Sequence, residues 1–367
     1  MKNPLVELHA FGQSFWYDNI RRKFLHDGTL KQLIDWDGLR GMTSNPSIFE
    51  QAIGKSDDYD EQISQLVQKG ADTNTIYEAV VLADIQTACD LFVDLFTQSQ
   101  RQDGYVSLEV SPHLARDTEG TIAEARRLYY AVDRPNVMIK VPATPEGIPA
   151  VRQLISDGIN INITLMFNMA HYEAVADAYI QGLQQLADSG RDVRQIASVA
   201  SFFVSRVDSA VDKKLAELDD AAANALLGKT AIANSKVVYL RFKELFHGPA
   251  FAALHELGAP PQRLLWASTS TKNPDYPDTI YVDNLIGPET VNTMPPATVD
   301  AFRDHGVVAN TLEDGVEDAR LVLDNLAELG INLDEITDQL QVDGVTAFAK
   351  AFTTLMAAIE DKVQRLS

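Results

Sequence analysis

A lysine interrupts a stretch that otherwise reads as a buried strand. In Asn136-Val137-Met138-Ile139-Lys140-Val141-Pro142-Ala143-Thr144, Lys140 sits among Val, Met and Ile. An ammonium there is costly unless it is paired or neutral. A low-dielectric wall lowers an amine's pKa and leaves part of it neutral and nucleophilic at neutral pH. Such a lysine condenses with a ketone, and the resulting iminium withdraws electrons as an adjacent C–C bond breaks. The chemistry also needs a general acid/base. Glu109, in "YVSLEVS", is the candidate, acting directly or through a water held by Thr164. The plainer readings of Lys140 are a structural ion pair with Glu109, or a lysine snorkelling out at a strand end. Lys236, in "NSKVVYLRFKELF", is a rival amine, but its helical spacing predicts an exposed position.

The elements that must hold these groups are short β-like segments, each followed by a helical one. The pattern predicts strands over Ala10–Tyr17, Leu39–Asn45, Tyr105–Ser111, Val137–Val141, Ile161–Phe167, Ile196–Val204, Leu264–Thr269 and Thr279–Leu285. Amphipathic stretches such as "TEGTIAEARRLYYAV" and "AHYEAVADAYIQGLQQLADSG" separate them. In "GININITLMF", Asn160, Asn162 and Thr164 alternate with Ile161, Ile163 and Leu165; in "YVSLEVS", Ser107, Glu109 and Ser111 alternate with Val106, Leu108 and Val110. Side chains on a strand have period two, so each set shares a face. Helices covering a sheet require an apolar outside, which turns the polar set inward. Strands alternating with helices predict an α/β fold, a (β/α)8 barrel with additional helices. An open sheet of six to eight strands, or an antiparallel sheet with one wet face, are the alternatives. The long connections Pro46–Asp103 and Arg206–Arg263 read as helical embellishments of one domain spanning residues 1–367.

The totals narrow the partners. A net charge of −21 over 367 residues argues against nucleic acid and an anionic membrane surface. No apolar run in the sequence reads as a membrane span, and the N-terminus lacks a signal peptide's apolar core. The single cysteine, Cys89, lies in a helical apolar stripe and reads as a buried structural thiol. A reducing, cytoplasmic setting is expected.

Six segments carry a resemblance. "GMTSNPSIFEQAI", "VSLEVSPHLARDT", "VMIKVPATPEGI", "GININITLMFN", "SVASFFVSRVDS" and "LLWASTSTKNP" occur in order between about Gln13 and Gly287. Together they resemble the transaldolase family, and the chain length and "ASTSTKNP" look like its longer bacterial subgroup. The resemblance implies a class I aldolase-type barrel with the Schiff-base lysine on the fourth strand, where Lys140 falls. It implies Glu109 as acid/base through a water positioned by Thr164, and Asp18 as the group that takes and returns the proton of the C4 hydroxyl. Asn45 and Asn162 would hydrogen-bond substrate hydroxyls, with Thr43 and Ser201 lining the pocket and Phe203 beside the sugar. Arg206 and Ser268 would hold a phosphate. Shorter members carry an Arg two residues after the serine matching Ser268. Here the chain reads Ser268-Thr269-Ser270-Thr271-Lys272, so Lys272 is the expected second cation.

The implied reaction moves a dihydroxyacetone unit from sedoheptulose 7-phosphate to glyceraldehyde 3-phosphate, in the non-oxidative pentose phosphate pathway, with no cofactor and no metal. A carboxylate at Glu109 fits transaldolase better than its relative fructose-6-phosphate aldolase. Both monomers and homodimers occur in the family. Of the other readings, a metal-dependent hydrolase lacks support, since the seven histidines form no His-x-His pair and no HExxH. A binding barrel without chemistry has no need for Lys140, Glu109 and Asp18 together.

Overall fold

Alternation of Ile, Val and Leu with small polar residues builds a closed wall. The computed structural model describes residues 3–366. Its strands are β1 (Gln13–Asp18), β2 (Gly41–Thr43), β3 (Tyr105–Glu109), β4 (Val137–Pro142), β5 (Ile161–Met166), β6 (Ser198–Phe203), β7 (Arg263–Ala267) and β8 (Thr290–Met294). They pair in sequence order, all parallel, and β8 returns to β1 to close the barrel. The expected (β/α)8 architecture is therefore present. Helices wrap the outside, where Ile139, Ile161 and Ile163 are buried. Several of these helices begin at a side-chain cap: Asn45, Asp72, Asp117 and Asn168 each accept a backbone N–H of the first turn. The long connections are helical as expected, with Thr73–Gln98 in the first and Ser205–Glu217 and Thr230–Phe246 in the second.

Inside the barrel Trp16 lies directly over Gly41, and a Cβ at Gly41 would overlap the indole. The end of the barrel where the strands begin is tied by ions. Asp103 accepts from Arg40 Nε at 2.6 Å and Ser14 Oγ at 2.7 Å, and Arg263 Nη2 reaches it at 3.2 Å. Cys89 is buried in the helix Thr73–Gln98, and burial pushes its thiol up.

Three expectations need correction. The segment Thr279–Leu285 is not a strand: Ile280–Asp283 forms a helical turn, and the eighth strand is Thr290–Met294. Its buried positions Tyr281, Val282 and Leu285 have helical spacing that the β-branched Thr, Ile and Val disguise. Strand β3 ends at Glu109, so Ser111 leaves the inward set and instead caps a short 3-10 turn, accepting from His113 N. Leu165 leaves the outward set. A register shift between β5 and β6 and a left-handed φ of 61° turn it toward Gly344 of the C-terminal helix.

That helix, Leu333–Leu366, is the one among the described residues that is long and apolar enough, by length and composition, to cross a membrane. Here it crosses the end of the barrel where the strands finish. Gln341 Nε2 donates to Ala143 O at 2.9 Å and Leu165 O at 3.0 Å, while Phe348, Leu355 and Ile359 are buried.

Candidate active site

The register of β3, β4 and β5 sets three side chains abreast: Glu109 pairs with Lys140, and Lys140 with Asn162. Period two then turns all three into the barrel. Lys140 is 5% exposed, and its Nζ donates to Ser44 O at 3.1 Å. Glu109 Oε2 lies 3.5 Å from Nζ, with its side chain 6% exposed. Burial raises the Glu109 carboxyl above its ordinary value, against the pull of the Lys140 charge. Neither Glu109 Oε2 nor the buried Thr164 Oγ1 has a hydrogen-bond partner among the described residues. Two such groups beside an amine suit a shared water.

Strand β1 ends at Asp18, which accepts from Thr43 Oγ1 at 2.7 Å, and Thr43 also bonds Thr293 Oγ1 at 2.7 Å. Burial raises the Asp18 carboxyl, with Lys140 and the Thr43 hydroxyl opposing it. Lys140 thus faces two buried carboxyls, from β1 and β3.

Above these groups a cavity of about 200 Å³ is lined by Asp18, Lys140, Thr164, Arg206, Lys272 and Phe348, among others. Thr43, Asn45, Ser201, Phe203 and Ser268 also line it. Asn45 Oδ1 caps the following helix through Ile48 N at 3.0 Å, which leaves its amide hydrogens for a ligand. Arg206 opens the helix Ser205–Glu217, whose N-terminus has no side-chain cap. Its guanidinium packs over the Phe203 ring, 5.2 Å from the centroid, and makes no side-chain hydrogen bond or ion pair among the described residues. Burial lowers its pKa. Lys272 is at the exposed rim, donating to Ser270 Oγ at 2.6 Å. Two cations beside a helix N-terminus are an arrangement that can hold an anion. A larger cavity of about 610 Å³ lies at the opposite end of the barrel, near His9, Asp103 and Arg263, away from the lysine and its two carboxyls.

Residues 15–359 match the family model described as transaldolase/fructose-6-phosphate aldolase. The chain belongs to that family. Relatives named transaldolase cover it end to end. One from Thiobacillus denitrificans (strain ATCC 25259 / T1) is 49% identical over 97% of this chain and 99% of its own. One from Trichodesmium erythraeum (strain IMS101) is 47% identical over 100% of this chain and 99% of its own. One from Parafrankia sp. (strain EAN1pec) is 47% identical over 99% of each.

Against the residues expected from the transaldolase resemblance, ten of the twelve line the cavity and two do not. Asn162 lies beneath it, 0% exposed, donating to Ser107 Oγ at 3.0 Å and accepting from Ser201 Oγ at 2.6 Å. Asn162 thus braces Ser201 and the cavity floor, directly abreast of Lys140 in the sheet register. Glu109 does not line this cavity; it lies inward behind Lys140, 3.5 Å from Nζ, and lines a neighbouring space. Lys236 is half-buried, donating to Asp314 O at 2.7 Å, and lies outside the cavity.

Sequence reasoning missed Ser47, Ser270, Thr293 and Phe348. Ser47 and Ser270 sat inside quoted motifs. Thr293 was lost with the misplaced eighth strand, although "TVNTM" alternates just as β5 does. Phe348, whose ring centre is 5.9 Å from Lys140 Nζ, had no local signal, because only the path of the C-terminal helix brings it there.

Proposed function

We propose that Lys140 is the Schiff-base nucleophile of a transaldolase reaction. The chain is a transferase of this family, and its substrates are sugar phosphates. It passes a dihydroxyacetone unit from sedoheptulose 7-phosphate to glyceraldehyde 3-phosphate, giving erythrose 4-phosphate and fructose 6-phosphate. The observation that carries the reading is an amine 5% exposed, set between two carboxyls whose pKa burial raises.

The Lys140 amine attacks the ketose C2 to form a carbinolamine. Glu109 acts as the acid, delivering a proton to the departing hydroxyl through a water on Thr164, and the iminium forms. The Asp18 carboxylate takes the proton of the C4 hydroxyl. The C3–C4 bond then breaks, and its electrons move into the iminium to give an enamine. The first aldehyde leaves with C4. When the acceptor enters, the enamine carbon attacks its carbonyl and Asp18 returns the proton to the new hydroxyl. Water, activated by Glu109, then hydrolyses the iminium and frees Lys140. Arg206, Lys272, Ser268 and the helix N-terminus hold the phosphate, with Asn45 and Ser201 on the sugar hydroxyls.

Borohydride reduction in the presence of fructose 6-phosphate tests the assignment. One adduct of the three-carbon dihydroxyacetone unit on Lys140, located by mass, is expected, and none in Lys140→Met. Turnover in that near-isosteric variant should drop by ~10⁴-fold or more, as when a nucleophile is removed. An adduct on another lysine, or turnover surviving the substitution, overturns it.

A further inference from the structure

The substrate cavity is not the only space that reaches the catalytic pair. Behind Glu109 a cleft of about 230 Å³ opens to the surface between the helices Thr73–Gln98 and Thr118–Val132, lined by Tyr77, Glu78, Leu82, Glu109, Glu124 and Phe352. Glu109 lines this cleft, while Lys140 lines the substrate cavity. A gap of about 10 Å³ lies between the two spaces. Asn45 borders both the gap and the cavity, whereas Tyr77, Leu108, Glu109 and Phe352 border both the gap and the cleft. A single water needs roughly that room, ~10–15 Å³. Successive turns of the C-terminal helix divide the spaces, Phe348 facing the cavity and Phe352 the gap.

Schiff-base formation expels one water, and hydrolysis of the iminium takes one back. Both events occur while a sugar fills the cavity on the Lys140 side. We propose that the cleft is a rear passage for this water, which leaves and returns past Glu109 through the gap between Asn45 and Phe352, with Glu124 as a positioning residue along the way. The inference rests on the Schiff-base reading above. Glu109 Oε2, 3.5 Å from Lys140 Nζ and without a hydrogen-bond partner among the described residues, supplies the polar group at the inner end. Glu124 lines the cleft further along, only 3.9 Å from Arg127 Nη2, and presents a carboxyl toward a file of water; burial raises it above its ordinary value. Glu78 at the cleft is held bidentately by Arg127 at 2.6 and 2.7 Å and is not free for that role.

Washout of the C2 oxygen of fructose 6-phosphate into oxygen-18 water, without acceptor, reads the passage directly. Each formation and hydrolysis of the Schiff base swaps that oxygen if the expelled water escapes. Leu82→Trp, at a half-buried position, narrows the cleft, and Glu124→Leu dries it. Washout should fall roughly tenfold or more in each, because the trapped water returns to the same iminium, while the Lys140 borohydride adduct and the KM for fructose 6-phosphate stay within about twofold. Glu124→Gln, which keeps a polar group, should recover most of the rate. Glu124→Leu also covers the case in which Leu82→Trp does not fold. Unchanged washout in a folded variant overturns the passage. A wild-type protein with neither washout nor a Lys140 adduct overturns the Schiff-base reading instead.

Discussion

Arg206 offers a test in which binding and stability separate. Among the described residues its guanidinium has no hydrogen bond or ion pair to lose, only its place over the Phe203 ring. Arg206→Ala forfeits that cation–π contact, ~0.5–2 kcal/mol, and relieves the burial of a charge, so the net stability change should stay within about 1 kcal/mol. At an unfolding entropy of ~2.1 cal/mol/K per residue over 367 residues, that is a Tm shift of about 1 °C. Toward a phosphate the same fork makes two charge-assisted bonds of ~1.5–3 kcal/mol each. Water and the remaining Lys272 recover part of this, leaving a loss of about 3 kcal/mol, or roughly 10²-fold in kcat/KM. The assay is Schiff-base formation with fructose 6-phosphate and, in parallel, with dihydroxyacetone, which has no phosphate. The loss should appear for the first donor and vanish for the second. Arg206→Lys should regain only part, because an ammonium does not reproduce the planar fork. An equal loss for both donors would refute the phosphate assignment, and a Tm drop of many degrees would refute the claim that Arg206 is structurally idle.

Glu109→Gln should slow Schiff-base formation by ~10²–10⁴-fold with KM for fructose 6-phosphate nearly unchanged, measured by single-turnover trapping; a pure KM effect would count against its acid/base role. Asp103→Asn should cost about 3–5 kcal/mol in urea unfolding, since it strands Arg40 and Arg263. Burial alone would raise Asp103, but those two guanidiniums hold it below its ordinary value. Its contribution is therefore present above the unfolded carboxylate range and fades as pH falls through the folded pKa, a limb the Asn variant should lack. Asp208 is the opposite case. Burial pushes its carboxyl up to about 7 while it accepts from Ala231 N and the Tyr281 hydroxyl. The folded state holds that proton more tightly than the unfolded chain, so stability should decline as pH rises from about 4 toward 7. Asp208→Asn should thus stabilise the protein by roughly 1–4 kcal/mol at pH 8 and little at pH 4, which denaturation at the two pH values will check.

Period two is a local rule, and whatever depends on it alone could be read directly. Lys140, Glu109 and Thr164 face inward because each is an even number of residues from its inward neighbours, and helical spacers made the strands parallel. The rule breaks where backbone geometry breaks it. The bulge at Leu165 reverses a side chain without any Gly or Pro to announce it. The turn Ile280–Asp283 carries β-branched residues in a helix held by its surroundings, and this hid β8 and, with it, Thr293.

By itself, then, the order of residues determined the barrel, the inward lysine and the chemistry its neighbours could support, since these follow from spacing along single strands. Only the tertiary structure decided that Glu109 faces a second space, that Asn162 is locked beneath the floor, and that a helix beginning at Leu333 brings Phe348 over Lys140. Those are distances between segments far apart in the chain. They are set by how the ring closes and how its last helix packs across it, which no window of local sequence contains.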